Sequence, residues 1–197
     1  MSRTLSFLFC LILKSFSHHL VIVILTNTPV ICITGPESSG KSTLTHGLVA
    51  PLNAVTIEEY AREYLNSLPD TSNYTSKDLE KIACVQVGLL KTATEQDQAV
   101  LLDTGVEVIK IWHEVKFGSS SFLDELLKVQ QSLITHYVLC APDIPWEPDS
   151  LREHPKDRDR LFKLYQKLLD TLKPTPWFTV KGSNSDRISQ VISFLKL

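Results

Sequence analysis

The 197-residue sequence predicts an α/β fold, a P-loop type of parallel five-stranded sheet with helices on both faces. Three observations predict it. Apolar runs of strand length alternate with stretches whose apolar residues recur at helical spacing, which demands crossover connections and parallel pairing. The runs are almost wholly apolar rather than alternating, as strands covered on both faces require. The first run leads directly into Gly35-Pro36-Glu37-Ser38-Ser39-Gly40-Lys41-Ser42-Thr43, ahead of a helical pattern.

The first strand is read over 29–34, and the helix after the glycine-rich run over 42–49. A short strand follows at 54–57, then a helix from Tyr60 to Leu68, stopped by Pro69-Asp70. Leu79, Ile82, Ala83, Val87 and Leu90 fall at helical intervals, predicting a long amphipathic helix from about Ser76. Residues 99–103 form a third strand closed by Asp103. Val108, Ile111, Trp112 and Val115 mark a helix that ends at Gly118 and three serines. Leu123 to Leu133 gives another helix, and 137–140 the fourth strand. The segment 142–159 mixes prolines with dense charge and is expected to be loop, the core of a lid near 142–160. A helix from Leu161 to Leu172, a strand at 177–180 and a helix from Ile188 to Leu195 complete the chain.

A net charge of -2 offers no global positive field, so nucleic acid is not an expected partner. Cys10, Cys32, Cys84 and Cys140 show no paired spacing, which suits free thiols in the reducing cytoplasm. Residues 1–28 stand apart as an apolar extension before a domain spanning 29–197. Lys14, His18 and His19 interrupt its apolar stretches, against the uninterrupted run of about 20 residues that spans a membrane. It reads as a targeting segment or as an added strand or helix. No pattern fixes an oligomeric state.

The glycine-rich run carries the chemistry. Its glycines let successive amides converge on phosphate oxygens, and the helix start adds partial positive charge. Gly35, Glu37, Ser38, Ser39, Gly40, Lys41, Ser42 and Thr43 are the expected ATP cradle. Lys41 is expected to reach the terminal phosphates, and the Ser42 hydroxyl to bind Mg²⁺. Asp103 is a second metal ligand by its place at a strand end, or else a cap for the next helix. Glu59 follows the second strand and suits a sugar hydroxyl, with Tyr60 offering a flat face; the same acids also suit a solvated helix start. Arg152, Arg158 and Arg160 stand ready to meet phosphoryl charge from the loop, or to pair with Asp157 and Asp159. Trp112 is a candidate for an aromatic cage around a cationic base, though its helical spacing more often marks a core residue.

Together these segments resemble the ATPase/kinase family typified by the ribosylnicotinamide kinase domain of the bacterial NadR protein. The matching stretches are G-P-E-S-S-G-K-S-T at 35–43, E-Y-A-R-E-Y at 59–64, L-L-D-T at 101–104, K-I-W-H-E-V-K-F-G at 110–118 and D-I-P-W-E-P-D-S-L-R at 143–152. The resemblance implies ATP- and Mg²⁺-dependent phosphorylation of a small nucleoside, nicotinamide riboside, at its 5′-hydroxyl, within NAD synthesis. It implies that Glu59, Tyr60 and Arg62 lie at the nucleoside side and Arg152 and Arg158 on the lid. Where such proteins read D-T-D, this chain has Asp103-Thr104-Gly105.

Overall fold

The computed structural model describes residues 28–148 and 156–195. Its strands are β1 (Val30–Thr34), β2 (Val55–Ile57), β3 (Val100–Asp103), β4 (His136–Cys140) and β5 (Trp177–Val180). They form one parallel sheet in the order β2-β3-β1-β4-β5. Side chains alternate across it. Ile31, Ile33, Leu101 and Val138 face helices α1 (Lys41–Leu52) and α7 (Asn184–Leu195), whose Leu44, Leu48 and Val191 seal that layer. Cys32, Leu102, Tyr137 and Leu139 face the opposite layer.

That second layer holds α2 (Tyr60–Asn66), α3 (Ser76–Thr94), α4 (Val106–Phe117), α5 (Ser121–Gln131) and α6 (Arg158–Thr171). Helix α3 starts at a reciprocal cap, in which the Thr75 hydroxyl accepts from Asp78 N and the Asp78 carboxylate accepts from Thr75 N. Ser120 caps α5 by accepting from Leu123 N, so the serine run that ends one helix begins the next.

Five strands with helices on both faces match the expectation, and element bounds shift by a few residues. One shift matters for function: α6 begins at Arg158, so the expected loop does not extend to Asp159. Arg160 then sits in the first turn of α6, paired with Asp157 at 2.5 Å. Cys32 and Cys140 are buried free thiols and Cys84 is half-buried. The extension read over 1–28 lies outside the described residues except for Thr28, as does Cys10. No helix of the described residues is long and apolar enough to cross a membrane.

In the register, Ile33 pairs with Asp103 and Thr34 with Leu139. The carboxyl ends of β1, β3 and β4 therefore stand side by side. Ligands in open parallel sheets bind beyond such ends.

Candidate active site

The loop from Gly35 to Gly40 joins β1 to α1. At Gly35, φ is +139° and an added Cβ would lie 2.8 Å from the Cys140 carbonyl oxygen, so only glycine fits against β4. Ser38 and Gly40 also take positive φ, which curls the loop back on itself. Helix α1 has neither a side-chain cap nor an acid in its first turn. Its leading amides and dipole are thus left to an anion. The Lys41 ammonium lies over the loop, donating to the carbonyls of Gly35 at 3.1 Å and Pro36 at 3.0 Å.

Asp103 is 1% exposed, and its Oδ1 has no hydrogen-bond partner. Burial pushes its carboxyl up; the Ser42 hydrogen bond and the Lys41 charge pull it down, and Glu59 and Glu58 add to the rise. Thr34 Oγ1, Ser39 Oγ and Thr104 Oγ1 are likewise buried without partners. Each such orphan costs about 1–3 kcal/mol, and their gathering at adjoining strand ends and the loop marks a place for a ligand. A buried carboxylate bonded to a serine hydroxyl is a hard oxygen pair suited to Mg²⁺. The helix-cap role does not apply to Asp103. Residue N-cap of α4 is Gly105 without a side-chain cap, and Val106 N donates instead to Gln130 Oε1 at 2.7 Å.

Beyond the loop opens a cavity of about 210 Å³. Gly35, Glu37, Ser38, Ser39 and Gly40 line one end, with Lys41, Ser42 and Thr43. Glu59 and Arg62 form a side wall, tied by an Arg62 Nε to Glu59 Oε2 hydrogen bond of 2.9 Å. Trp112 joins Leu65, Val108 and Val115 in an apolar wall, with its indole N–H donated to the Tyr74 hydroxyl at 2.6 Å. Trp112 is thus core-packed and cavity-facing at once. Tyr60 is not on this wall. It lies in a second groove beside edge strand β2 with Glu58 and Glu63, because the turn of α2 that aims Ala61 and Leu65 inward carries residues 60 and 64 to another side. The expected placement of Tyr60 against the substrate is corrected accordingly.

Arg158, at the start of α6, stands beside the loop. Its Nη1 donates to the carbonyls of Ser38 at 3.0 Å and Ile144 at 2.9 Å, while Glu147 N donates to Ser38 Oγ at 2.9 Å. Arg152 lies outside the described residues.

Three residues that sequence reasoning passed over shape the site. Gln86 on α3 is 2% exposed; its amide accepts from Tyr60 N at 3.1 Å and donates to Glu58 O at 3.1 Å and Thr104 O at 2.9 Å. It fixes the spacing between the β2 and β3 ends, hence between Glu59 and Asp103. Arg187 on α7, also 2% exposed, donates to the carbonyls of Ser39, Gly182 and Ala141 and pairs with Asp143. It binds the phosphate loop to the β4 and β5 ends. Tyr165 on α6 is the third and lines the cavity. Gln86 and Arg187 lie at helical spacing from buried Leu79, Ile82 and Val191, which is the one signal a sequence holds for them.

A Walker-type loop on the central strand, with an acid at the end of the neighbouring strand, defines a P-loop nucleoside- and nucleotide-kinase-like fold. The family model described as AAA domain matches residues 30–187, and the chain belongs to that family. Among solved structures it is similar to NadR protein in complex with NR (TM-score 0.65, 19% identity, covering 86% of this chain and 50% of that one). It is equally similar to NadR protein in complex with NAD and AMP-PNP (TM-score 0.63, 19% identity, with the same 86% and 50% coverage). Deoxyadenosine kinase from M. mycoides aligns with TM-score 0.60 at 15% identity, over 85% of this chain and 98% of that one. The chain spans about half the length of the NadR structures it matches.

Proposed function

We propose that this protein is an ATP-dependent small-molecule kinase that phosphorylates the 5′-hydroxyl of nicotinamide riboside, yielding nicotinamide mononucleotide for NAD synthesis. The observation that carries the reading is one continuous cavity, with Lys41 and Ser42 at its phosphate end and Glu59, Arg62 and Trp112 along its walls. Similarity to NadR, one structure of which holds NR, supports the choice of nucleoside.

The loop amides and the α1 dipole bind the ATP phosphates, and Lys41 follows charge onto the β–γ bridging oxygen as that bond breaks. The nucleoside hydroxyl oxygen forms the new bond to the γ-phosphorus, ADP leaves with the bridging oxygen's electron pair, and Glu59 accepts the hydroxyl proton. Glu59 suits that task better than Asp103, because it lines the cavity whereas Asp103 lies behind Ser42. Mg²⁺, held by Ser42 and Asp103, would supply neutralising charge to the phosphates. Arg158 adds positive charge beside the loop.

A second reading, a kinase for another nucleoside, is supported by the likeness to deoxyadenosine kinase over nearly that protein's whole length. ATP consumption measured with nicotinamide riboside, uridine, thymidine and deoxyadenosine separates the two. Preferred turnover of nicotinamide riboside is expected; turnover of another nucleoside alone overturns the substrate, and no turnover of any overturns the kinase reading.

A further inference from the structure

Glu59 is the N-cap residue of α2, yet its side chain makes no cap hydrogen bond. An acid at that place ordinarily turns back onto the first amides of its own helix. Here the buried Gln86 side chain, reaching across from α3, meets the helix start instead. Its Oε1 accepts from Tyr60 N at 3.1 Å, and its Nε2 donates to Glu58 O at 3.1 Å. Those two groups belong to the two peptide units on either side of the Glu59 Cα. Each unit is planar, so holding both fixes the direction in which the Glu59 side chain leaves the backbone. Spared from capping, the carboxylate meets Arg62 Nε on the cavity wall.

The same amide has a third hold. The β2–β3 ladder ends where Ile57 pairs with Leu102, one residue short of Glu58 and Asp103. Past that point Gln86 Nε2 donates to Thr104 O at 2.9 Å. Thr104 has φ +71°, a left-handed conformation that a β-branched residue keeps only where its surroundings impose it. Gln86 therefore takes over where strand pairing stops, and it does so between the two acids of the site. It is not itself on the cavity wall. The phosphate loop has other supports, Arg158 and Arg187.

Resting on the kinase reading above, in which Glu59 takes the hydroxyl proton, we infer that Gln86 is a positioning residue that aims the Glu59 carboxylate at the acceptor hydroxyl and holds it in register with Asp103. Its effect falls on the transfer step. ATP binding does not depend on it.

A double-mutant cycle tells aim from mere packing. Single-turnover rates with Mg²⁺, ATP and saturating nicotinamide riboside are compared for wild type, Gln86→Met, Glu59→Gln and the double variant, at a temperature where all are folded. Gln86→Met should slow transfer roughly a hundredfold, the cost of a base about 1 Å out of place. Glu59→Gln should cost about a hundredfold or more alone, and under about fivefold in the Gln86→Met background. Affinity for a non-hydrolysable ATP analogue should stay within about twofold of wild type. Gln86→Asn keeps the amide but withdraws it by one methylene; it should show the same loss of coupling, and it serves where Gln86→Met does not fold. Losses that simply multiply in the double variant, or an ATP-analogue affinity that falls along with the rate, overturn the assignment. A Glu59→Gln rate equal to wild type removes the base, and the positioning role with it, while leaving a kinase. Turnover of deoxyadenosine alone changes only the substrate, and the cycle run on it decides Gln86 in the same way. A wild type that turns over no nucleoside sinks both readings.

Discussion

The side-chain amide of Gln130 donates to the Glu107 carboxylate at 2.7 Å, and the two fill the space where a side chain at position 105 would stand. A Cβ added to Gly105 would lie 2.4 Å from Glu107 Oε2 and 2.6 Å from the Gln130 amide. The same Glu107 accepts from the Cys32 thiol at 3.2 Å and from Gly105 N at 3.3 Å. Glycine after Asp103-Thr104 thus belongs to a buried polar cluster beneath the turn.

Gly105→Ala should therefore destabilise the protein by about 1–3 kcal/mol through overpacking. Urea titration checks this, and an unchanged midpoint would show that the cluster gives way freely.

Arg187 meets the loop from the far end of the sequence. It gives its Nη1 proton to Ser39 O at 2.5 Å, across 148 residues. Arg187→Met removes donors from three carbonyls and breaks the ion pair with the exposed Asp143, which keeps the Gly182 N–H. A loss of roughly 1–3 kcal/mol is expected from the buried Ser39 carbonyl left unmatched, with a raised KM for ATP at temperatures where the variant remains folded. A KM equal to wild type there would separate Arg187 from the nucleotide.

Asp103 makes opposite demands on stability and turnover. Its folded-state pKa is raised, chiefly by burial, so its ionised form is disfavoured in the folded chain. The sign follows: stability is full below the ordinary carboxylate range and declines as pH climbs through the raised value. Asp103→Asn should melt higher than wild type at neutral pH without nucleotide, the gap closing in acid, while kcat falls more than about a hundredfold. Melting curves between pH 3 and 8 test the first part. A variant less stable at every pH would contradict the burial argument.

Lys41→Ala removes an ammonium whose hydrogen bonds among the described residues go to loop carbonyls. Loss of about 2–4 kcal/mol of transition-state stabilisation is expected, a kcat drop of 30- to 1,000-fold, with a melting temperature near wild type. Steady-state kinetics decides it, since near-normal turnover is incompatible with the role given to this residue.

Much of this was legible in the sequence for definite reasons. Apolar runs such as 100–102 are buried on both faces, and their strand length between stretches of period 3.6 states element type without tertiary information. The glycine-rich loop is local, so its chemistry is written in consecutive residues. Gln86, Tyr165 and Arg187 are different. Each occupies the inward stripe of a helix, where periodicity announces burial but not which distant carbonyl or cavity awaits. Tyr60 failed for a related reason. The helix start at Tyr60 agrees with the reading, but which of its faces meets the cavity is set by how the helix packs on the rest of the fold, which local pattern does not state.

The long reach from α7 to the loop also bears on the order of events in synthesis. On a ribosome, β1, the loop and α1 emerge well before the guanidinium that braces Ser39, 148 residues further along the chain. The nucleotide seat thus gains its final brace only after the C-terminal helix has cleared the exit tunnel and docked. Until then, ATP meets an unbraced cradle, and competence to bind it tightly is a late milestone of folding.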